Sequence, residues 1–357
     1  MSPCDLGAAI PLSDRDLDAD WIAGALGFGR PSQVTVEPIG VGQMSRTVRL
    51  RIDWPPGSRP GPGSLVAKLA VEDEKSRSVA VARRLYETEV GFFTELAEQI
   101  PVSAPRCHWA AYDQEQRKYA LVFEDVTVGS VGDQLSGCTA EDAAAALSEL
   151  AVLHAPFWGD HSLGAIGWLN RYRAEEVAYY ADSVRAAASS FVARFSEELG
   201  PECSALVQRV AARFEDYDRW GFGGPRTVVH GDFRNDNLIF GGSRVCVLDW
   251  QVTHRGCGLA DLSYFLGGSL LPEDRRRTEE DLVREYHERL VAAGVDLAWD
   301  WCWREYRRHA LAGIIMAVRS AAMLAETEYS DALFLTMGSR HCLHALDLGT
   351  ETLLGAD

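Results

Sequence analysis

The chain is 357 residues long, 47% hydrophobic and 24% charged, the composition of a soluble globular protein with room for one large or two moderate domains. Its formal net charge of −17 argues against a nucleic-acid groove, which needs a basic stripe, and is compatible with a cationic partner without requiring one. Eight scattered cysteines without a Cys-x-x-Cys pair indicate neither a zinc site nor a disulfide framework, and the longest apolar run, near 310–318, is too short to cross a bilayer. With no basic-then-apolar leader either, a cytoplasmic protein with reduced thiols and no membrane association is expected.

Residues 14–27 read as a short amphipathic helix, acidic in its first turns and stopped by Gly27. The hydrophobic period then falls to two. Val34 and Val36, followed by Val48, Leu50 and Ile52, alternate with polar residues as half-buried strands do. The turn between those strands is Gly40-Val41-Gly42-Gln43-Met44-Ser45, and by itself it is an ordinary hairpin turn. The Pro- and Gly-rich residues 55–63 form a loop, after which residues 65–69 make a strand with Lys68 in it.

A long helix is predicted from about 76 to 99, with Tyr86, Glu89, Phe92 and Phe93 on one stripe. A carboxylate in an apolar stripe is costly unless paired, and Lys68 is the natural partner of Glu89. Glu87, Glu95 and Glu98 are expected to face water. Residues 106–112 and 119–123 are two further strands, and the second stops at Glu124-Asp125-Val126. Thr139 opens a capped helix that runs to His154, and helices are expected at about 171–199, 203–219, 273–293 and 297–348. Trp299, Trp301 and Trp303 could line a ligand pocket, but core packing is the commoner fate of such residues. Asp133 and His154 are read as structural.

One stretch interrupts the helical half. Val228-Val229 deliver His230-Gly231-Asp232, Asn237 lies five positions after Asp232, and the apolar run 245–248 ends in Asp249. Two short buried strands would thus hold three oxygen-bearing side chains at the lip of a cleft. Phosphoryl transfer needs such a set: one carboxylate to orient the attacking hydroxyl and take its proton, and an amide and a second carboxylate to hold metal ions.

The His-x-Asp loop with Asn five residues on, and an Asp-led turn after a short strand, are kinase patterns. With Gly231 in the loop and Asp249-Trp250-Gln251 as the turn, the chain resembles the aminoglycoside phosphotransferase superfamily over roughly residues 30–270. Val131-Gly132-Asp133-Gln134-Leu135 and Ala151-Val152-Leu153-His154-Ala155 look like its ecdysteroid-kinase-like branch.

That resemblance implies an α+β, bilobal protein-kinase-like fold. Residues 1–124 would form a nucleotide-binding lobe with a small antiparallel sheet and one long helix, and 125–357 a mainly helical lobe with the catalytic loop and substrate site. It further implies ATP or another nucleoside triphosphate, and Mg²⁺. Gly40, Gly42 and Ser45 would cover the phosphates, and Lys68, anchored by Glu89, would grip them. Glu124, Asp125 and Val126 would form the hinge that meets adenine through the main chain. Asn237 and Asp249 would hold the metal, Asp232 would act as base, and Asp261 would brace the loop. The acceptor would be a small hydroxylated molecule: an antibiotic such as an aminoglycoside or nucleoside, or a metabolite such as a sugar, amino alcohol or sterol. No long activation segment or Ala-Pro-Glu motif follows Asp249, which disfavours a protein kinase. A nucleotide-binding pseudokinase scaffold is the alternative from another class. The acidic balance leans towards a cationic or polar acceptor and the aromatics towards a flatter one. Acceptor identity, the choice of ATP or GTP, and oligomeric state are not readable.

Overall fold

Five strands fold as one antiparallel sheet in the computed structural model, which describes residues 8–40, 44–57, 61–170, 177–221, 224–324 and 326–353. The strands are β1 (Gln33–Pro38), β2 (Ser45–Asp53), β3 (Ser64–Ala70), β4 (Cys107–Asp113) and β5 (Lys118–Glu124), in the order β1-β2-β3-β5-β4. The chain divides into two compact units: Met1–Gly129 with Leu248–Thr253, and Ser130–Val247 with His254–Asp357. The fold is the mixed α and β kind that the resemblance implies, a five-stranded antiparallel sheet in the first unit and a mainly helical second.

In the first unit, Val48, Leu50, Leu65, Ala67 and Leu69 are buried on one face of the sheet, against Ile22 and Ala25 of α1 (Ala19–Leu26). Asp18 caps this helix by accepting from Trp21 N at 2.8 Å, and Gly27, at φ +66°, ends it in the left-handed conformation. A 3-10 turn at Asp14–Asp16 precedes it, so the expected helix over 14–27 is shorter than its acidic start suggests.

The helix predicted over 76–99 is broken. It consists of α2 (Glu74–Ala82) and α3 (Leu85–Gly91), the latter continuing as a π-helical turn over Phe92–Leu96. Arg84 sits between α2 and α3 at φ +56° and pairs with Glu87 at 2.7 Å. No glycine or proline marks this break, so hydrophobic period alone runs through it. The stripe itself holds: Tyr86, Glu89, Phe92 and Phe93 are buried, and Glu95 and Glu98 are exposed. Glu87 is half-buried rather than free in water, because it answers Arg84.

Leu248–Thr253 belongs to this unit through Trp250. That residue is fully buried and stacks on Phe92, with ring centroids 3.8 Å apart and planes 5° from parallel.

The second unit starts with β6 (Ser130–Val131), which pairs with β8 (Leu238–Phe240), itself paired with β9 (Cys246–Val247). A separate pair joins β7 (Thr227–Val229) to β10 (His254–Gly256). Helix α4 (Ala140–His154) begins with a Thr139–Asp142 capping box, as the sequence suggests. Next come α5 (Val177–Ala212), bent at Gly200 (φ +72°) before Pro201, and α6 (Phe214–Gly221). The gap expected near 200–202 is that bend, but the helix predicted over 203–219 is also interrupted after Ala212. Residues 171–176 of the preceding prediction lie outside the described residues.

Helix α7 (Gly258–Ser269) is buried at every position but Ala260 and forms the axis of this unit. Around it stand α8 (Pro272–Ala292), α9 (Trp299–Arg308), α10 (Ala312–Met323) and α11 (Glu328–Asp347). Trp299 stacks on Trp303, and Trp303 on Tyr306, with centroids 5.8 and 5.5 Å apart, so two of the three tryptophans pack along their own helix. All seven cysteines among the described residues are free thiols. Among the described residues no helix is long and apolar enough to cross a membrane.

Candidate active site

The sheet unit holds one buried charge cluster. Lys68 projects from β3, its Nζ 2.8 Å from Glu89 Oε1 and 2.8 Å from Asp249 Oδ1. Lys68 and Glu89 are 9% and 1% exposed, so each needs the other. Glu89 also accepts from the Tyr119 hydroxyl and, at 3.3 Å, from Trp250 N. Burial pulls the Lys68 ammonium down, but the Asp249 and Glu89 carboxylates outweigh it and hold it above its ordinary value. The lysine therefore stays charged in a dry setting. Burial and Glu89 push the Tyr119 phenol well up, which keeps it a hydrogen-bond donor.

Asp249 has φ +62°, a strained value for a residue with a Cβ, and its side chain is 42% exposed despite the bond to Lys68. Buried Trp250, stacked on Phe92, anchors this turn.

The other nucleotide-site candidates fall on the same unit. Gly40 adopts φ +74°, Gly42 lies outside the described residues, and Ser45 is buried at the start of β2 opposite Ala70. Glu124 ends β5, with its own N–H donated to Arg106 O and its Oε1 accepting from Arg106 N, both at 2.9 Å. Asp125 is tied to Arg49 Nε at 2.8 Å and to Ser64 Oγ at 2.5 Å. Burial raises the Asp125 carboxyl, but the Ser64 and Arg49 bonds outweigh it and hold it low. Both acidic side chains at this predicted hinge are thus structural ties, and Val126 follows them half-buried.

The helical unit holds the candidate catalytic loop. After β7, Gly231 takes φ +82°, which only glycine adopts without strain. Asp261 of α7 accepts from His230 N at 2.6 Å and Gly231 N at 2.9 Å, with His154 Nε2 at 3.4 Å. Burial raises this carboxyl, but the His154 hydrogen bond and charge lead the interactions that bring it below its usual value. It braces the turn, and His154, also 2.7 Å from Tyr286 Oη, supports it.

The turn presents Asp232. Its Oδ1 accepts from Tyr264 Oη at 2.8 Å, and its Oδ2 from Asn237 Nδ2 at 3.1 Å and Arg234 Nε at 3.3 Å. Asn237 Nδ2 also donates to Asp232 O at 2.8 Å. Asp232 and Asn237 are therefore brought together as their spacing suggests. Tyr264 and Arg234 were not singled out in the sequence. The only hints are that Arg234 is two residues past Asp232 and that Tyr264 lies one helical turn beyond Asp261. Burial and Asp232 push the Tyr264 phenol well up, so it donates to the carboxylate.

Asn237 spends its amide nitrogen on Asp232, which leaves its carbonyl oxygen as the group able to meet a cation. A hard oxygen donor of that kind fits Mg²⁺ chemistry, as does a carboxylate such as that of Asp249. Among the described residues no cluster of three or more His, Cys, Asp or Glu is placed to hold a metal.

A cavity of about 190 Å³ lies in the helical unit and reaches this loop through Gly231, Asp261 and Tyr264. Its wall includes Tyr180, Phe214, Tyr217, Ile315 and Met316, and three arginines, Arg226, Arg255 and Arg319. None of Trp299, Trp301 and Trp303 lines it. The arginines come from three separate stretches, so sequence spacing carries no sign of them.

A model of the phosphotransferase enzyme family matches residues 35–309. No curated protein matches the chain. Among solved structures, a choline kinase from Cryptosporidium parvum Iowa II is similar at 12% identity over 90% of each chain, with a TM-score of 0.54. An ethanolamine kinase from Plasmodium vivax is similar at 9% identity over 92% of this chain and 89% of that one, with a TM-score of 0.53. A gentamicin complex of APH(2″)-IIa is similar at 14% identity over 92% and 96%, with a TM-score of 0.51. At these identities the likeness is one of fold.

Proposed function

The chain belongs to the phosphotransferase enzyme family, and from that premise we propose that it transfers the γ-phosphoryl group of ATP to a hydroxyl of a small molecule. The observation that carries this reading is Asp232. Its carboxylate is fixed by Tyr264, Asn237 and Arg234, next to a cavity that Gly231 and Tyr264 line.

An acceptor hydroxyl seated in that cavity would hydrogen-bond Asp232. As its oxygen bonds to the γ-phosphorus, the O–H proton passes to the Asp232 carboxylate, and the bond from phosphorus to the ADP oxygen breaks. Because such a transfer demands little covalent work from the protein, orientation and charge supply most of the rate. Lys68 is kept charged by Glu89 and would take the α and β phosphates. Asp249, its second partner, would exchange part of that ion pair for the metal. Asn237 and Asp249 would hold Mg²⁺, which when bound neutralises charge on the phosphate oxygens. Gly40 and Ser45 would approach the phosphates. The hinge would meet the base through main-chain groups, since the Glu124 and Asp125 side chains are already bonded.

The three named neighbours include kinases of choline and ethanolamine and a gentamicin complex, which keeps amine acceptors and antibiotic inactivation among the readings. We further propose that the chain belongs to the ecdysteroid-kinase-like branch, which residues 131–135 and 151–155 resemble, and that it acts in the cytoplasm, where ATP is supplied. Incubation of the purified protein with ATP, Mg²⁺ and a panel of hydroxyl compounds tests the assignment. Acceptor-dependent ADP release supports it. Nucleotide binding with no acceptor-dependent ADP release from any compound favours the scaffold alternative.

A further inference from the structure

We propose that the acceptor is anionic, a carboxylate or phosphate on an apolar body, and that Arg226, Arg255 and Arg319 bind its charge while Asp232 receives its hydroxyl. This rests on the small-molecule reading above.

The charge of the cavity runs opposite to that of the chain. Acidic residues outnumber basic ones 52 to 35 overall, yet among the described residues the cavity wall carries three guanidinium groups and one carboxylate. That carboxylate, Asp261, is 3% exposed and already accepts from the His230 and Gly231 N–H groups, so it offers little to a ligand. A wall built for an amine would carry the reverse set.

The arginines are held in place by the fold. Arg255 lies on β10 opposite Val228, and Arg226 directly precedes β7, so the β7–β10 register puts the two side by side. Arg255 Nε is buried and has no hydrogen-bond partner among the described residues. Leaving such a donor unmet is costly, and a bound carboxylate or phosphate oxygen would meet it. Burial first, and the nearby Arg255 charge second, pull the Arg226 guanidinium below its usual value, as expected of two like charges facing one cavity. Arg319 is set over the Tyr180 ring, 5.1 Å from its centroid, which fixes the third guanidinium. The rest of the wall, with Phe214, Tyr217, Ile315 and Met316, suits an apolar or aromatic body.

Three probes of one shape and different charge test this: 3-phenyllactate (anionic), its methyl ester (neutral) and phenylalaninol (cationic), each bearing a hydroxyl. Calorimetric titration of the full-length protein should show phenyllactate binding at least about tenfold tighter than the ester and phenylalaninol weakest, with Arg255→Met and Arg319→Met each erasing about tenfold of the preference while leaving ester binding unchanged. Phenyl phosphate, run alongside, separates a carboxylate pocket from a phosphate pocket by which of the two anions binds tighter. Tighter binding of phenylalaninol, a preference that survives both substitutions, or no binding by any probe while ATP still binds would overturn the proposal. The wider reading is judged separately by acceptor-dependent ADP release, so either can fail without the other.

Discussion

Lys68 and the half-buried arginines of the helical cavity settle their charge differently. Lys68 is answered twice inside the protein, by Glu89 and Asp249, each at 2.8 Å. Among the described residues the wall of the helical cavity carries one carboxylate beside its arginines, and backbone N–H groups already hold it. Burial alone therefore says little about what a basic residue is for. A cation with two internal carboxylates has a stable resting partner and can exchange one of them for phosphate. A guanidinium such as that of Arg255, whose buried Nε has no hydrogen-bond partner among the described residues, is placed to receive something from outside.

Removing Glu89 breaks the first half of the contrast most severely. Glu89→Ala takes a partner from buried Lys68 and the acceptors of Tyr119 and Trp250 N, and should cost about 3–5 kcal/mol in a denaturant titration. A cost below about 1 kcal/mol would mean that Asp249 alone satisfies the lysine.

The second half is sharpened by His309, which lines the cationic cavity and is held down to about 4 by burial, with the Arg308 charge adding to it. Its folded value lies below the unfolded 6.5, so in that window the unfolded chain binds a proton the native state refuses. Stability should therefore fall as the pH drops from 6.5 towards 4, by about 3 kcal/mol at the lower end. His309→Gln should flatten that limb of the stability profile, and an unchanged limb would remove His309 from the account.

A smaller effect is expected at the loop. Tyr264→Phe deletes the 2.8 Å hydrogen bond to Asp232 while Asn237 and Arg234 still hold the other oxygen. Turnover should fall about tenfold, or about 1.4 kcal/mol, with nucleotide affinity unchanged. Equal turnover would show that the tyrosine only packs.

How much of this was legible depends on whether local chemistry or distant convergence makes the feature. The first two strands follow from period-two alternation, and β3 and β5 from short apolar runs. The Lys68–Glu89 pair follows from the cost of an unpaired carboxylate in an apolar stripe. The break in α5 is written as Gly200-Pro201, while the one at Arg84 has no breaker residue and stays silent in the pattern. Asp232 and Asn237 meet because their spacing spans one tight turn. The arginine cavity could not be read this way. Arg226 and Arg255 are neighbours only through strand pairing, Arg319 arrives on α10, and the net charge of −17 leans towards the opposite ligand. The aromatic composition leans towards a flatter acceptor, and Phe214 and Tyr217 are among the residues that line the cavity.

The most direct test of the central claim is the turnover number of Asp232→Asn beside that of the wild type, with ATP binding measured on the same two samples. The account predicts intact nucleotide binding and a loss of at least about 10²-fold in acceptor-dependent ADP release, the scale of a positioned general base. Turnover by the variant at the wild-type rate would contradict it.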